Sequence, residues 1–446
     1  MNLAARPWLS AVLLAVLVFL PSSASAGTTP EEVRALEDYR AKAEKGDPIA
    51  QHNLGYCYFA GLGTAKDLVE AVKWFRKAAD QGDAMAQYNM GVFYRDGSGV
   101  AKDEVEAVKW FRKAVDQGFS NAQYNLGVSY RDGSGVAKDL VEAAKWFRKA
   151  ADQGLADAQY NLGDCYFAGL GVAKDLAEAV KWYRKAADQG HATAQYNLGV
   201  FYRDGSGVAK DLIEGMKWYR KAADQGDTMA QYNLGVFYRD GAGVAKDLVE
   251  AAKWFRKAAD QGLANAQSDL GACYLNGSGV AKDQPEAVKW FRKAANQEYA
   301  MAQHNLGYCY FNDLGVAQDQ AEAVKWFRKA AEQGYVKAQS DLGACYFNGS
   351  GVAKDEVEGA KWYRKAADRG YDLAQFELGV CYRNGEGVAR NEVEAYAYFN
   401  LAGITFERAR KNLAILEKGM SPDARTRGQQ RTKELQKEIE AKQAGK

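Results

Sequence analysis

The chain has 446 residues, a formal net charge of +2 and 47% hydrophobic residues, with 45 glycines and 6 prolines. This length exceeds what one hydrophobic core usually serves, so the chain either forms several domains or stacks many small units. The nearly balanced charge argues against proteins that bind nucleic acid or an anionic membrane surface.

Residues 1–26 have the pattern of a secretory signal peptide. Arg6 gives a positive start, Trp8 to Leu20 is apolar, and Ala24-Ser25-Ala26 is a small-residue cleavage site. The alternative is an uncleaved membrane anchor, but the apolar run is shorter than the roughly 20 residues that span a bilayer. We therefore expect a mature protein that starts near Gly27, is periplasmic or secreted, and has no stable insertion in the membrane.

The remainder of the chain is organised by a repeat. Residues 27–46 are predicted to form an N-terminal capping half-repeat with one helix, because Thr29-Pro30-Glu31-Glu32 is typical of a helix start. Residues 47–406 then hold ten units, and residues 407–446 are predicted to form C-terminal capping helices and a frayed tail. Tryptophan marks the period of 36 residues, at positions 74, 110, 146, 182, 218, 254, 290, 326 and 362. Such a fixed period is typical of stacked units that share one elongated core.

Each unit is predicted to contain two helices. In the first unit, Ala50 and Leu54 lie on one face of a helix that Gly61 ends, because glycine accepts the left-handed backbone conformation. The second helix starts with Asp67 and Glu70, which we expect to form a reciprocal capping box. The same signals recur in the later units.

The recurring pattern is Q-x-x-L-G-x-x-Y-x-x-G-x-G-V-x-x-D-x-x-x-A-x-x-W-x-x-K-A-A-x-Q-G, as in Gln123 to Gly154. It resembles the Sel1-like repeat family, a relative of the tetratricopeptide repeat with a longer turn between its helices. The resemblance implies an all-α fold, a right-handed α-solenoid superhelix of stacked antiparallel helix pairs. Members of that family commonly scaffold complexes, regulate envelope signalling or mediate contact with host proteins.

The cysteines occupy a single repeat position, which other units fill with Phe or Ser. They are Cys57, Cys165, Cys273, Cys309, Cys345 and Cys381. Packed helices lie about 10 Å apart, whereas a disulfide needs Cα atoms within about 7 Å. We therefore expect free, buried thiols.

No group of residues indicates catalysis or metal binding. His52, His191 and His304 lie in distant units, so they cannot form one metal cluster. His304 and Cys309 are on one helix, but their spacing of five residues points them to different sides, outside nucleophile–base reach. The sequence predicts a protein that is not an enzyme and that needs no cofactor or metal.

The candidate partner surface lies on the first helices, where positions equivalent to 52, 56 and 59 share a face away from the core. Tyr and Arg, the residue types enriched in interface hot spots, recur there. The tyrosine series is Tyr88, Tyr124, Tyr160, Tyr196 and Tyr232, and the arginine series is Arg95, Arg131, Arg203 and Arg239. Phe167 interrupts the arginine series, and later units change to smaller or apolar residues such as Ser268, Ala272 and Leu275.

Two interpretations of these series stay open. In one, the tyrosines and arginines contact a partner; in the other, the tyrosines pack between repeats and each arginine pairs with the aspartate that follows it. We favour an exported, monomeric scaffold or adaptor that binds protein or peptide partners on a concave surface, regulating envelope signalling or mediating host contact. The alternatives are a hydrolase of cell-wall or antibiotic substrates and a carbohydrate-binding module.

Overall fold

The computed structural model describes residues 29–444, and these residues form 23 α-helices and no strand. The predicted signal peptide lies outside the described residues. The chain divides into two compact units, with the boundary between His191 and Ala192. The first unit contains α1 (Pro30–Ala43), α2 (Pro48–Ala60), α3 (Leu68–Asp80), α4 (Ala84–Asp96), α5 (Glu104–Asp116), α6 (Ser120–Asp132), α7 (Leu140–Asp152), α8 (Ala156–Ala168) and α9 (Leu176–Asp188).

The second unit begins with a further run of repeats. These are α10 (Ala192–Asp204), α11 (Leu212–Asp224), α12 (Thr228–Asp240), α13 (Leu248–Asp260), α14 (Ala264–Asn276), α15 (Gln284–Ala295), α16 (Ala300–Phe311), α17 (Gln320–Glu332), α18 (Val336–Asn348), α19 (Glu356–Ala367), α20 (Asp372–Asn384) and α21 (Glu392–Ala402). It ends with α22 (Glu407–Gly419) and α23 (Pro422–Ala444). From repeat 1 (α2 and α3) to repeat 10 (α20 and α21), each helix pair packs in tandem within its unit, which confirms the predicted α-solenoid.

Left-handed residues end the first helices. Gly61 has φ 76° and its amide donates to the Cys57 carbonyl, as the sequence predicts. In repeat 8 the same turn position holds Asp313, with φ 56°. In repeat 7 the position after the second helix, which is a left-handed glycine at Gly82, holds Glu298, with φ 62°. Both residues therefore adopt a conformation that costs a non-glycine residue about 1–2 kcal/mol.

The starts of the second helices differ from the prediction. The Asp67 carboxylate accepts from the Glu70 amide at 2.9 Å, as an N-cap should. The Asp67 amide, however, donates to the Tyr58 carbonyl, and the Glu70 carboxylate pairs with Lys73 at 2.9 Å. The predicted reciprocal capping box is therefore wrong here, because the preceding helix already satisfies the donor that Glu70 would accept.

Hydrophobic clusters join neighbouring repeats. In repeat 1, Phe75 and Ala78 are buried and pack with Met90 and Trp110 of repeat 2. Gly55 allows α2 to approach α3, since a Cβ at this position would lie 3.0 Å from the Phe75 ring. One helix pair thus leaves an apolar face that only the next pair covers, which is why the units stack.

Cations flank the recurring tryptophans. Lys113 lies 3.7 Å from the centroid of the Trp110 ring, and the guanidinium of Arg76, from the preceding repeat, lies 5.8 Å from it. Arg76 also donates to the Tyr94 hydroxyl. Such cation–π contacts contribute roughly 0.5–2 kcal/mol each, depending on desolvation. The Arg76 contact joins the second helices of adjacent repeats, whereas Lys113 lies on the same helix as Trp110.

A glutamine relay crosses the junctions between repeats. Gln231 is 5% exposed, and its Nε2 donates to the Ala223 carbonyl of the preceding repeat at 3.2 Å. Its Oε1 accepts from Gln261 Nε2 at 2.8 Å. The same pattern links Gln117, Gln87 and Ala79 in the first unit. Both polar ends of a buried amide are thereby satisfied, which a buried polar side chain requires.

The C-terminal helices cover the last repeat. The final helix α23 packs on α21, where Leu435 and Ile439 join the core of repeat 10. Arg431 forms an ion pair with Glu394 at 2.8 Å, and Lys442 pairs with Asp368 at 2.9 Å. These contacts close the apolar face that an eleventh repeat would otherwise cover.

Candidate partner-binding site

The tyrosine series lies partly inside the packing. The Tyr124 ring is 5.8 Å from Phe147 on the second helix of its own repeat, and Tyr232 lies 5.7 Å from Phe255 in the same way. Tyr160 is buried and stacks on His191 at 4.6 Å. Equivalent contacts hold the other two members, with Tyr88 at 6.1 Å from Phe111 and Tyr196 at 5.7 Å from Tyr219. One side of each ring is therefore occupied by the protein.

Each arginine of the arginine series binds the aspartate that follows it. Arg131 donates to both carboxylate oxygens of Asp132, from Nε at 2.8 Å and from Nη2 at 2.9 Å. The hydrogen bond to Asp132 holds the pKa of Arg131 above its ordinary value. The equivalent pairs are Arg95–Asp96, Arg203–Asp204 and Arg239–Asp240. The arginine series therefore presents neutralised pairs, and its side chains stay 28–41% exposed.

One asparagine of the following repeat joins the two series. Asn161 Oδ1 accepts from Arg131 Nη1 at 3.0 Å, and Asn161 Nδ2 donates to the Tyr124 hydroxyl at 3.5 Å. Burial raises the pKa of the Tyr124 hydroxyl. Arg95 contacts Asn125 in the same way at 2.7 Å, and Arg239 contacts Asp269 at 3.4 Å. This asparagine was not among the residues predicted to form the site, although it recurs one residue after the tyrosine.

The later repeats change the chemistry of this face. Ser268 and Ser340 replace the tyrosine and are buried, whereas Tyr308 in repeat 8 is 46% exposed. His304 Nε2 lies 2.7 Å from Asp341 of the next repeat, in the position of the Tyr–Asn contact. The smaller side chains predicted at Ser268 and Ser340 therefore do not line an open surface; they lie inside the junction.

A cavity of about 100 Å³ lies between repeats 3 and 4. Its apolar wall is formed by Leu140, Ala143, Phe147 and Leu170, and its polar wall by Arg131, Asn161, Asp164 and Cys165. Asp164 accepts a hydrogen bond from the Tyr183 hydroxyl at 2.5 Å. Burial raises the pKa of the Asp164 carboxyl. Asp164 was not among the predicted site residues, although it is the one acid at a position that holds valine in the nearby repeats, namely Val92, Val128, Val200 and Val236.

The cysteines are inert in this arrangement. All six are buried and free. Burial raises the pKa of Cys165 to about 11 and of Cys381 to about 12, so the nucleophilic thiolate is scarce at neutral pH. Within residues 29–444, no group of three or more His, Cys, Asp or Glu side chains could hold a metal ion. In the same range, no helix combines the length and apolar character needed to cross a bilayer.

Comparison with known proteins gives a consistent result. The Sel1 repeat model matches ten consecutive segments, from residues 48–83 to residues 372–403. A protective antigen of uropathogenic Escherichia coli strains, displaying an SLR fold, is 36% identical with a TM-score of 0.69, covering 92% of this chain and 97% of its own. A Sel1 repeat protein from Oxalobacter formigenes is 33% identical with a TM-score of 0.53, and the match covers 73% of this chain and 97% of that protein. The search of curated proteins found no match.

Proposed function

Because the chain belongs to the Sel1 repeat family, we propose that it is an exported scaffold that binds protein or peptide partners on the first helices of its repeats. The Sel1 solenoid is generally a protein–protein interaction scaffold and not an enzyme. The observation that carries the proposal is the repeated Tyr–Arg–Asn cluster at the junctions, which leaves partly exposed aromatic and guanidinium groups on one face. Fixed groups of this kind bind a partner with little loss of conformational entropy.

Export is part of the proposal and depends on residues 1–26. The likeness to a protective antigen of uropathogenic Escherichia coli supports a role in host contact, and regulation of envelope signalling is the other role that fits an exported scaffold. Cell fractionation with N-terminal sequencing tests the export step. We expect a chain that starts near Gly27 in the periplasm or the medium; an intact N-terminus in the cytosol would contradict it.

Partner binding can be tested with two exposed positions of repeat 1. Tyr56, on the first helix, is 46% exposed, and Val69, on the second helix, is 54% exposed. Substituting either by Glu places a charge in water, so neither variant should lose much stability. We expect affinity capture from envelope extracts, read by mass spectrometry, to recover a saturable partner that Tyr56→Glu loses and Val69→Glu keeps. Equal capture by both variants would show that the exposed face of the first helix of repeat 1 does not contact the partner.

A further inference from the structure

Repeat 4 departs from its neighbours at three positions within one turn of helix α8. Asp164 stands where the adjoining repeats have valine, and Phe167 stands where they have arginine. Cys165 stands where Phe93, Phe201 and Phe237 occur. The surrounding repeats are nearly identical copies. Their residues at these three positions therefore indicate which side chains suffice for packing.

The cavity lies where some other repeats place a phenylalanine ring. In repeat 2, the Phe93 ring fills the equivalent space and lies 5.6 Å from the Phe75 ring of repeat 1. Cys165 is much smaller, and the space in front of Phe147 is open to about 100 Å³. One water needs only about 10–15 Å³ by the same kind of measure. The cavity therefore has room for a side chain, and Leu170 at its edge is 40% exposed.

The charge of the cavity is unbalanced. Arg131 is already neutralised by Asp132, and His191 lies 3.5 Å from Asp157. The hydrogen bonds to Asp164 come from the neutral hydroxyls of Tyr183 and Tyr160. Arg131 and His191 also attract the Asp164 carboxylate, but each of them is paired with another aspartate, so three carboxylates share two basic groups around the cavity. A partly desolvated carboxylate that shares its counter-charges with other acids gains more from an added cation than an exposed carboxylate does.

We propose that this cavity, the repeat 4 pocket, accepts one basic side chain of the partner polypeptide. The aliphatic stem lies against Leu140, Phe147 and Leu170, and the charged end donates hydrogen bonds to Asp164. This arrangement follows the way long basic side chains bury their stems while the charged end meets a polar group. The inference rests on the proposed function, because it names one contact that the bound partner makes.

The neighbouring repeats supply the variants for the test. Asp164→Val removes the charge and Cys165→Phe fills the cavity, and each substitution installs the residue that adjoining repeats already accommodate. Both should therefore fold, which circular dichroism and thermal unfolding check. Cys273→Phe makes the same change in repeat 7, away from the pocket, and serves as the control.

The experiment selects phage-displayed random dodecapeptides on the immobilised full chain. We expect the wild type and Cys273→Phe to enrich peptides with Lys or Arg at one fixed position, and Asp164→Val and Cys165→Phe to lose that preference. Synthetic copies of an enriched peptide then give affinities by fluorescence anisotropy. Replacing its basic residue by norleucine should weaken binding to the wild type by about tenfold or more. The same replacement should leave binding to Asp164→Val unchanged.

Three results would overturn the inference. Enriched peptides without a fixed basic position, or a basic preference that survives in both pocket variants, would refute the repeat 4 pocket alone and leave peptide binding intact. Failure of the wild type to enrich any peptide over a blank surface would count against both the pocket and peptide binding by the scaffold.

Discussion

The glutamine relay gives a quantitative test of how the repeats are joined. Gln231→Met keeps the length and helix propensity of the side chain but removes the bonds to Ala223 and Gln261. A hydrogen bond contributes about 1 kcal/mol net, so two bonds give about 2 kcal/mol. The full penalty for an orphaned buried carbonyl does not apply, because the Gly226 amide also donates to the Ala223 carbonyl. Gln261 likewise keeps its bond to the Gly226 carbonyl at 3.1 Å.

Hydrogen exchange read by mass spectrometry is the suitable assay. Long repeat arrays depart from two-state unfolding, so a single global free energy would hide a local change. A loss of about 2 kcal/mol should speed the exchange of the amides in α11, α12 and α13 by about thirtyfold. Gln436→Met, on the exposed face of α23, is the matched control and should change local stability by less than about 0.5 kcal/mol. Exchange around Gln231 within about threefold of the wild type would refute the assigned role of the relay.

Two further predictions concern strain and charge. Glu298→Gly should stabilise repeat 7 by about 0.5–1 kcal/mol, because the strain relieved in the left-handed backbone exceeds the entropy that glycine adds to the unfolded state. Slower hydrogen exchange of the amides in α15 would support this prediction, and faster exchange would contradict it. For Asp164, the raised pKa means that the folded state holds a proton that the unfolded state releases from about pH 4 upward. Wild-type stability should therefore fall relative to Asp164→Val as pH rises from about 4 through the raised pKa, and parallel pH profiles of the two proteins would exclude this.

Much of the fold could be predicted because its signals are local. The tryptophan period, the glycine that ends each first helix at positions such as Gly61, and the aspartate N-caps such as Asp67 are all set by residues close in sequence. The prediction of a capping box was wrong at Glu70 because the Asp67 amide donates to the Tyr58 carbonyl instead. Only the turn between the two helices brings that carbonyl near the amide.

The site was harder to predict because its contacts cross junctions. The pairing of Arg131 with Asp132 was one of two open interpretations, since adjacent residues can meet without knowledge of the fold. The bond from Arg131 to Asn161 joins residues 30 positions apart and requires the stacking geometry. Asp164 could have been found from the sequence by asking which residue breaks a column of valines, whereas the cavity beside it required the structure.

The relay also bears on how such a chain changes length during evolution. Several junctions within a unit are closed by the same amide contacts, as the Gln87 and Gln231 networks show. Unequal recombination that removes or adds one complete repeat would therefore join two surfaces that already match. Paralogues with fewer or more repeats would need no compensating substitutions at the new junction between repeats. A lineage could therefore shorten or extend its binding surface in single genetic events.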